Sequence, residues 1–182
     1  MNIRLLTPRL ILRPLRPEDA AAMFGYRSRP DVFRYQLWRP ADEAEIREYI
    51  GRQQRLAPGE PGTWYSLAIE RREGGGMIGD AGLHFPDGNP DEVEIGITLS
   101  PEFQRRGFAA EALREIFRFC FHMLAKTRIT AGADPRNLAS VRLLERMGMT
   151  RTAYVRACLE VRGELVDDVR YAVRKDDYLT IR

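Results

Sequence analysis

The stretch from Glu92 to Ala110 constrains the fold more than any other part of this 182-residue chain. Glu92 to Ser100 (Glu-Val-Glu-Ile-Gly-Ile-Thr-Leu-Ser) reads as a strand, Pro101 breaks it, and a helix starts near Gly107. The first turn of such a helix carries N–H groups without intrahelical partners, and the helix dipole lies behind them. That combination makes an anion site. Gly107 lets the backbone approach a phosphate closely, small Ala109 and Ala110 keep the turn uncrowded, and Arg105 and Arg106 add positive charge. On backbone logic alone, an ordinary strand-turn-helix with a solvated arginine pair is an equal reading. The Gly-Lys-Ser/Thr ending of a Walker loop is absent.

Around this segment the pattern alternates between strands and helices. Arg4 to Arg16 reads as a strand ended by Pro14 and Pro17, with Leu10 and Leu12 on one side. Pro17-Glu18-Asp19 opens a helix, Asp31 to Gln36 is a short helix, and Asp42 caps a longer one through about Leu56. Trp64 to Ile69, Met77 to Phe85 and Glu92 to Ser100 form an antiparallel meander. A helix runs from about Phe108 to Lys126 with Ala109, Leu113, Ile116, Phe117, Cys120 and Leu124 as its apolar stripe. Arg128 to Ala133 is a strand, and Asn137 starts a helix closed by Gly148. Thr152 to Val161 and Leu165 to Val173 form a hairpin turned at Arg162-Gly163. The order predicts one α+β domain over residues 1–182: a mixed, mostly antiparallel sheet of about seven strands with helices on both faces.

Charge and cysteine content narrow the function. There are 29 basic and 26 acidic residues, interspersed along the chain, so no basic run or helix marks a nucleic-acid binder. The net charge of +3 favours an anionic ligand. No apolar run reads as a signal peptide or a membrane span. Cys120 and Cys158 lie in apolar sequence surroundings without paired spacing, which argues against a disulfide framework or a metal site and suits a reducing cytoplasm. His84 and His122 read as bland, one on a strand and one on a polar helix face.

The full string Gln104-Arg105-Arg106-Gly107-Phe108-Ala109 resembles the Gln/Arg-x-x-Gly-x-Gly/Ala signature of the Gcn5-related N-acetyltransferase (GNAT) superfamily. Other stretches agree in the right order. Thr7-Pro-Arg-Leu-Ile-Leu-Arg-Pro-Leu is similar to the opening strand of the RimJ/RimL-like branch, which acetylates ribosomal-protein N-termini. Glu94-Ile-Gly-Ile-Thr-Leu-Ser-Pro resembles its strand before the signature. Asn137-Leu-Ala-Ser-Val-Arg-Leu-Leu-Glu-Arg-Met-Gly-Met resembles its Asn-x-x-Ser helix, and Arg162-Gly-Glu-Leu-Val-Asp its closing hairpin.

The resemblance implies an acyl-CoA N-acyltransferase fold in which two parallel strands, here ending at Leu99 and at Ala133, splay apart around the pantetheine arm of acetyl-CoA. The backbone of Ile97, Thr98 and Leu99 would pair with that arm. The segment from Gln104 through Ala110, its amides above all, would take the pyrophosphate. Asn137 would contact the pantetheine and the Ser140 hydroxyl would protonate or steady the leaving thiolate. Taken as residues alone, a helix cap is the favoured reading of Asn137, and a hydroxyl satisfying a backbone group that of Ser140. Glu94 is the candidate amine-binding residue or base, beside an ordinary surface-carboxylate reading. Tyr35 and Trp38 would wall the acceptor, with packing as the alternative, and Tyr154 would line it or pack in the core. Many relatives carry a Glu-Gly pair where this chain has Thr152 and Ala153, which leaves the base open.

The implied reaction is transfer of acetyl to a primary amine, on a small molecule or a protein N-terminus, without metal and without a covalent intermediate. A non-catalytic acyl-CoA-binding module, a succinyl-CoA-dependent enzyme and an ATP-type phosphate binder are the competing classes. A homodimer through the C-terminal strands is a further expectation.

Overall fold

The computed structural model describes residues 3–180. Its first β-signal is a hairpin. β1 (Leu5–Leu6) and β2 (Leu10–Pro14) pair antiparallel, with Leu5 opposite Leu12. Thr7 closes the turn: its amide donates to the Leu10 carbonyl at 3.0 Å and its hydroxyl accepts from the Leu10 amide at 2.8 Å. The single strand expected from Arg4 to Arg16 is thereby divided, and the sheet has eight strands where about seven were expected.

The remaining strands are β3 (Thr63–Arg71), β4 (Met77–Phe85), β5 (Glu92–Leu99), β6 (Arg128–Ala133), β7 (Thr150–Val161) and β8 (Glu164–Arg174). Their order is β1-β2-β3-β4-β5-β6-β8-β7, and β5–β6 is the parallel pair in an otherwise antiparallel sheet. β7 and β8 turn at Arg162 (φ 52°) and Gly163 (φ 83°), the two positive angles of a tight right-twisted hairpin.

Each sheet face carries its own helices. On one lie α4 (Phe108–Arg118) and α5 (Leu138–Arg146), whose Leu113, Ile116, Phe117 and Leu144 share the main core with Val93, Ile95, Val169 and Tyr171. On the other lie α1 (Ala20–Arg27) and α3 (Glu43–Gln53), which bury Met23, Ile46 and Ile50 around Ala68. Asp42 caps α3, its carboxylate accepting from the Glu45 amide at 2.9 Å. Between α1 and α3, α2 (Pro30–Phe33) is a single turn, shorter than the sequence suggested. α6 (Lys175–Thr180) follows β8.

The helix expected through Lys126 changes pitch at Arg118. Residues Phe119–Met123 form a π-turn, and the Leu124 amide reaches back to the Phe119 carbonyl at 3.1 Å. The wider turn keeps the consecutive Phe119, Cys120 and Phe121 all buried. A regular helix would swing one of the three into solvent. Burial also pushes the Cys120 thiol up to about 12. Cys158, expected in apolar surroundings, is exposed because it lies on the sheet-edge strand β7. No helix among the described residues is long and apolar enough to cross a membrane.

Candidate functional site

The parallel pair is the irregular place in the sheet. β5 and β6 are in register from Glu92 opposite Arg128 to Glu94 opposite Thr130, and no further pair forms between them. Both strands nevertheless run on, β5 to Leu99 and β6 to Ala133, each held on its outer side by β4 and β8. The sheet therefore opens after Glu94. Backbone groups alternate between the two edges of a strand, so the β5 edge facing β6 offers those of Ile97 and the Leu99 amide. An extended chain inserted there would satisfy them as an added strand. Of the three residues expected to offer backbone to the gap, Ile97 and Leu99 face it. Thr98 does not: the bond from the Ser100 amide to the Ile78 carbonyl sets a register in which Thr98 turns its backbone groups to β4. The Thr98 side chain faces away from the gap's long axis and accepts from the Gln36 amide group at 2.9 Å.

At the far end of that edge the chain builds the anion cradle. The Gln104 side-chain amide donates to the Leu99 carbonyl at 3.0 Å and ties the turn to the strand. Arg105 (φ 60°) and Gly107 (φ 81°) both occupy the left-handed region, which turns successive backbone N–H groups toward one side. Gly107 is the N-cap of α4 and, unlike Asp42 and Asn137, has no side chain to cap its helix. The first-turn amides of Phe108, Ala109 and Ala110 thus stay open to an outside anion. Arg105 and Arg106 are exposed beside them, and the Arg106 guanidinium lies 5.9 Å from the Phe103 ring. The Phe108 ring belongs to the core, so only its amide faces the cradle.

Across the gap, α5 begins at Asn137. Its Oδ1 accepts from the Ser140 amide at 3.2 Å, so the capping role read from the residue alone is present. The cap uses the oxygen and leaves the Nδ2 donor for a second partner. Asp134 sets the approach: its carbonyl accepts from the Asn137 amide at 2.8 Å, and its carboxylate is held by Arg136 at 2.6 Å. Burial works against the Asp134 carboxylate, but the Arg136 bonds outweigh it and lower its pKa. Ser140 is half-buried, and its hydroxyl makes no hydrogen bond among the described residues.

Strand alternation divides the candidates between the two faces of the opening. Val93, Ile95 and Leu99 point into the core under α4 and α5, the side on which Asn137 and Ser140 lie. Glu94, Gly96 and Thr98 point to the α1 side. There Glu94 is cross-strand partner to His84, with Oε2 3.6 Å from Nδ1. The opening is thus a window with a carboxylate on one side and a serine on the other.

The acceptor-side aromatics separate. Trp38 packs on Tyr49 at 4.8 Å and donates its indole N–H to Glu45 at 2.7 Å, so it belongs to the packing under α3. Tyr35 is half-buried beneath the Arg34 guanidinium at 5.2 Å. Tyr154 is exposed, which overturns its core-packing reading; its hydroxyl donates to Asp167 at 2.5 Å. It pairs with Val169, a residue of the α4 side, and so stands on the opposite face from Glu94. No group of residues able to hold a metal is present among the described residues.

Residues 9–150 match the acetyltransferase (GNAT) domain family, spanning the window, the cradle and the α5 start. The chain belongs to the GNAT acetyltransferase family. YoaA of Bacillus subtilis, named as an uncharacterized N-acetyltransferase, is 32% identical over 93% of this chain and 95% of its own. Among solved structures, a GNAT-family acetyltransferase from Bacillus anthracis superposes with a TM-score of 0.86 at 24% identity, covering 96% of this chain and 99% of that one. A ribosomal-protein-S5-alanine acetyltransferase from Vibrio fischeri shares the fold at a TM-score of 0.82 and 17% identity, over 97% and 99% of the two chains.

This GNAT acetyltransferase also uses residues that the sequence did not mark. Thr7 and Arg9, in the β1–β2 turn, both hold Glu111 of α4: the Thr7 hydroxyl at 2.6 Å, the Arg9 amide at 2.9 Å and its guanidinium at 2.6 Å. Arg9 also donates to the Arg106 carbonyl at 3.1 Å and covers the Phe108 ring at 4.3 Å, which fixes the cradle from outside. Burial opposes the Glu111 charge, yet these donors outweigh it and hold its pKa below the usual carboxylate value. On the α1 side, Arg27 pairs with buried Asp80, Tyr26 donates to the same carboxylate, and Arg27 donates to Gln36 at 2.9 Å. Burial and the Asp80 charge together raise the Tyr26 pKa well above its ordinary value. The only sequence signal for either cluster was charge inside apolar strands: Arg9 in Thr7-Pro-Arg-Leu and Asp80 between Gly79 and Ala81.

Proposed function

We propose that this acyltransferase moves the acetyl group of acetyl-CoA to a primary amine by direct attack. One observation carries the reading: the β5–β6 pairing stops at Glu94 while both strands continue, directly ahead of an uncapped helix start. The gap fits an extended pantetheine, and the cradle of Arg105 to Ala110 fits the pyrophosphate. Ile97 and the Leu99 amide would pair with the arm, Asn137 would reach it through Nδ2, and the whole chain would act as one catalytic domain.

The chemistry then runs through the window. The acceptor ammonium gives one proton to Glu94, and its freed lone pair forms the C–N bond to the thioester carbonyl carbon. As the tetrahedral species collapses the C–S bond breaks, and the nitrogen loses its second proton. One of the two protons leaves to solvent; the sulfur takes the other, passed through the Ser140 hydroxyl. An α-amine with a pKa near 7.7–8.0 is roughly a quarter neutral in the cytosolic pH range, whereas an unperturbed lysine near 10.4 is about a thousandth neutral. A base as exposed as Glu94 suits the former class, a protein N-terminus or a weakly basic small amine. The likeness of Thr7-Pro-Arg-Leu-Ile-Leu-Arg-Pro-Leu and of the Arg162 hairpin to the RimJ/RimL-like branch supports the N-terminus.

The test is release of free thiol from acetyl-CoA across small amines and peptides with different first residues, with succinyl-CoA as a parallel donor. Acetyl-CoA turnover that requires an amine is the expected result. Binding of ATP in preference to CoA, or no amine-dependent thiol from either donor, would overturn the reading.

A further inference from the structure

Three side chains stand in one cross-strand row on the α1 face. Trp64 of β3 is opposite His84 of β4, and His84 is opposite Glu94 of β5. The Trp64 and His84 rings stack at 5.0 Å with 19° between their planes. Stacking fixes the imidazole plane, so the edge it turns to Glu94 is fixed as well. That edge is unfinished. His84 Nδ1 is buried and lacks a hydrogen-bond partner, although Glu94 Oε2 lies only 3.6 Å away. Buried nitrogens are rarely left unpaired, because desolvation without a bond costs free energy. A small rotation of Glu94, whose side chain is 42% exposed, closes the distance to a hydrogen bond.

The surroundings favour that movement. The neighbour of Glu94 on the same face is Gly96, where an added Cβ would meet nothing within 4 Å. Gly96 carries an ordinary, not a left-handed, backbone. Open space therefore adjoins the carboxylate at the mouth of the window. On the Trp64 side the space is closed, since a Cβ at Gly82 would lie 2.9 Å from the indole. An approaching group thus meets an aromatic wall, a carboxylate and an open strip over Gly96.

We propose that His84 is the positioning residue for Glu94. In its Nδ1–H form it donates to Oε2, and it holds the other oxygen toward an acceptor that arrives as an ammonium ion over Gly96. This deepens the reading given under Proposed function and rests on it. The ammonium N–H proton passes to the free Glu94 oxygen; His84 keeps its own proton and acts through the carboxylate. Trp64 supports the imidazole from behind.

The experiment measures kcat, acceptor KM and CoA affinity for His84→Phe, His84→Asn and Glu94→Gln, alone and combined, with the best amine of the thiol-release panel. His84→Phe keeps the stack but removes the donor, and its kcat should fall about tenfold or more while CoA affinity and Tm hold. Asparagine places an N–H near the Nδ1 position and should restore most of the rate. In a Glu94→Gln background, His84→Phe should cost no further rate, since the two act as one unit. Gly96→Leu should raise acceptor KM about tenfold with CoA affinity unchanged. Full activity in His84→Phe, or losses that simply multiply in the double variant, would overturn the proposal. If His84→Phe fails to fold, the Asn variant and Gly96→Leu decide: a His84→Asn as slow as Glu94→Gln, with Gly96→Leu unaffected in KM, also overturns it. A wild-type protein that turns over no amine would refute the acetyltransfer reading itself.

Discussion

At the scale of single residues, the site depends on a few groups whose environments differ. Gly107 is required for its φ of 81°, and on the proposed reading also for the close approach of a phosphate to the turn. Gly107→Ala strains that angle, and a Cβ there would also lie 3.4 Å from Arg9. Its expected cost is about 1 kcal/mol of stability, read as a fall in Tm, together with weaker CoA binding by calorimetry. On the proposed mechanism, Ser140→Ala and Glu94→Gln should instead retain CoA affinity and lose turnover, because each would act on the reacting atoms and not on the donor's anchor points. Wild-type rates in both variants would show that the window residues are misassigned. Glycine and the arginine pair were legible in the sequence because the turn demands specific residue types. Glu94 was legible only as a candidate, and His84 not at all, since its meaning comes from a cross-strand neighbour ten residues away.

At the scale of elements, boundaries were legible wherever a local rule decides them. Asp42, Pro101, Asn137 and the Arg162-Gly163 turn all lie where caps and turn residues placed them. Besides the shortened α2, two elements departed from local expectation through long-range packing. The β1–β2 hairpin forms because Thr7 and Arg9 hold Glu111 on α4, a partner that lies far along the chain. The π-turn after Arg118 forms because Phe117 and Phe121 pack together on Tyr178. The Glu111 clamp carries a pH dependence with a definite sign. A folded pKa held below the unfolded value near 4.3 stabilises the fold above that pH, and the stabilisation is lost as pH falls through the lowered value. Glu111→Gln should therefore lower Tm at pH 7, and the gap from wild type should shrink in acid below about pH 4. A Tm difference that stays constant with pH would contradict the clamp. Removing the other buried anchor, through Arg27→Ala, leaves Asp80 uncompensated and should cost about 3–5 kcal/mol in denaturant unfolding.

At the scale of the whole molecule, the sheet works as a partition with one opening. Helices on its two faces deliver different chemistry to that opening: α5 brings Asn137 and Ser140 from one side, while β4 and β5 present His84 and Glu94 to the other. The order of strands and helices was legible from periodicity, and the donor half of the site from its motif. The acceptor half was not. On the proposed reading it would be made by loop 34–38, held by the Arg162 guanidinium on the Arg34 and Gln36 carbonyls, and by side chains paired across strands. Tyr35 and Trp38 were named from the sequence, but the Arg162 clamp and the cross-strand pairs leave no signal in local sequence. The central claim, that the donor lies in the β5–β6 window, is tested most directly by hydrogen exchange with and without CoA. Amides of Ile97, Leu99 and residues 105–110 should slow when CoA is added, while those of β3, remote from the opening, stay unchanged. Unaltered exchange at Ile97 and Leu99 under saturating CoA would contradict it.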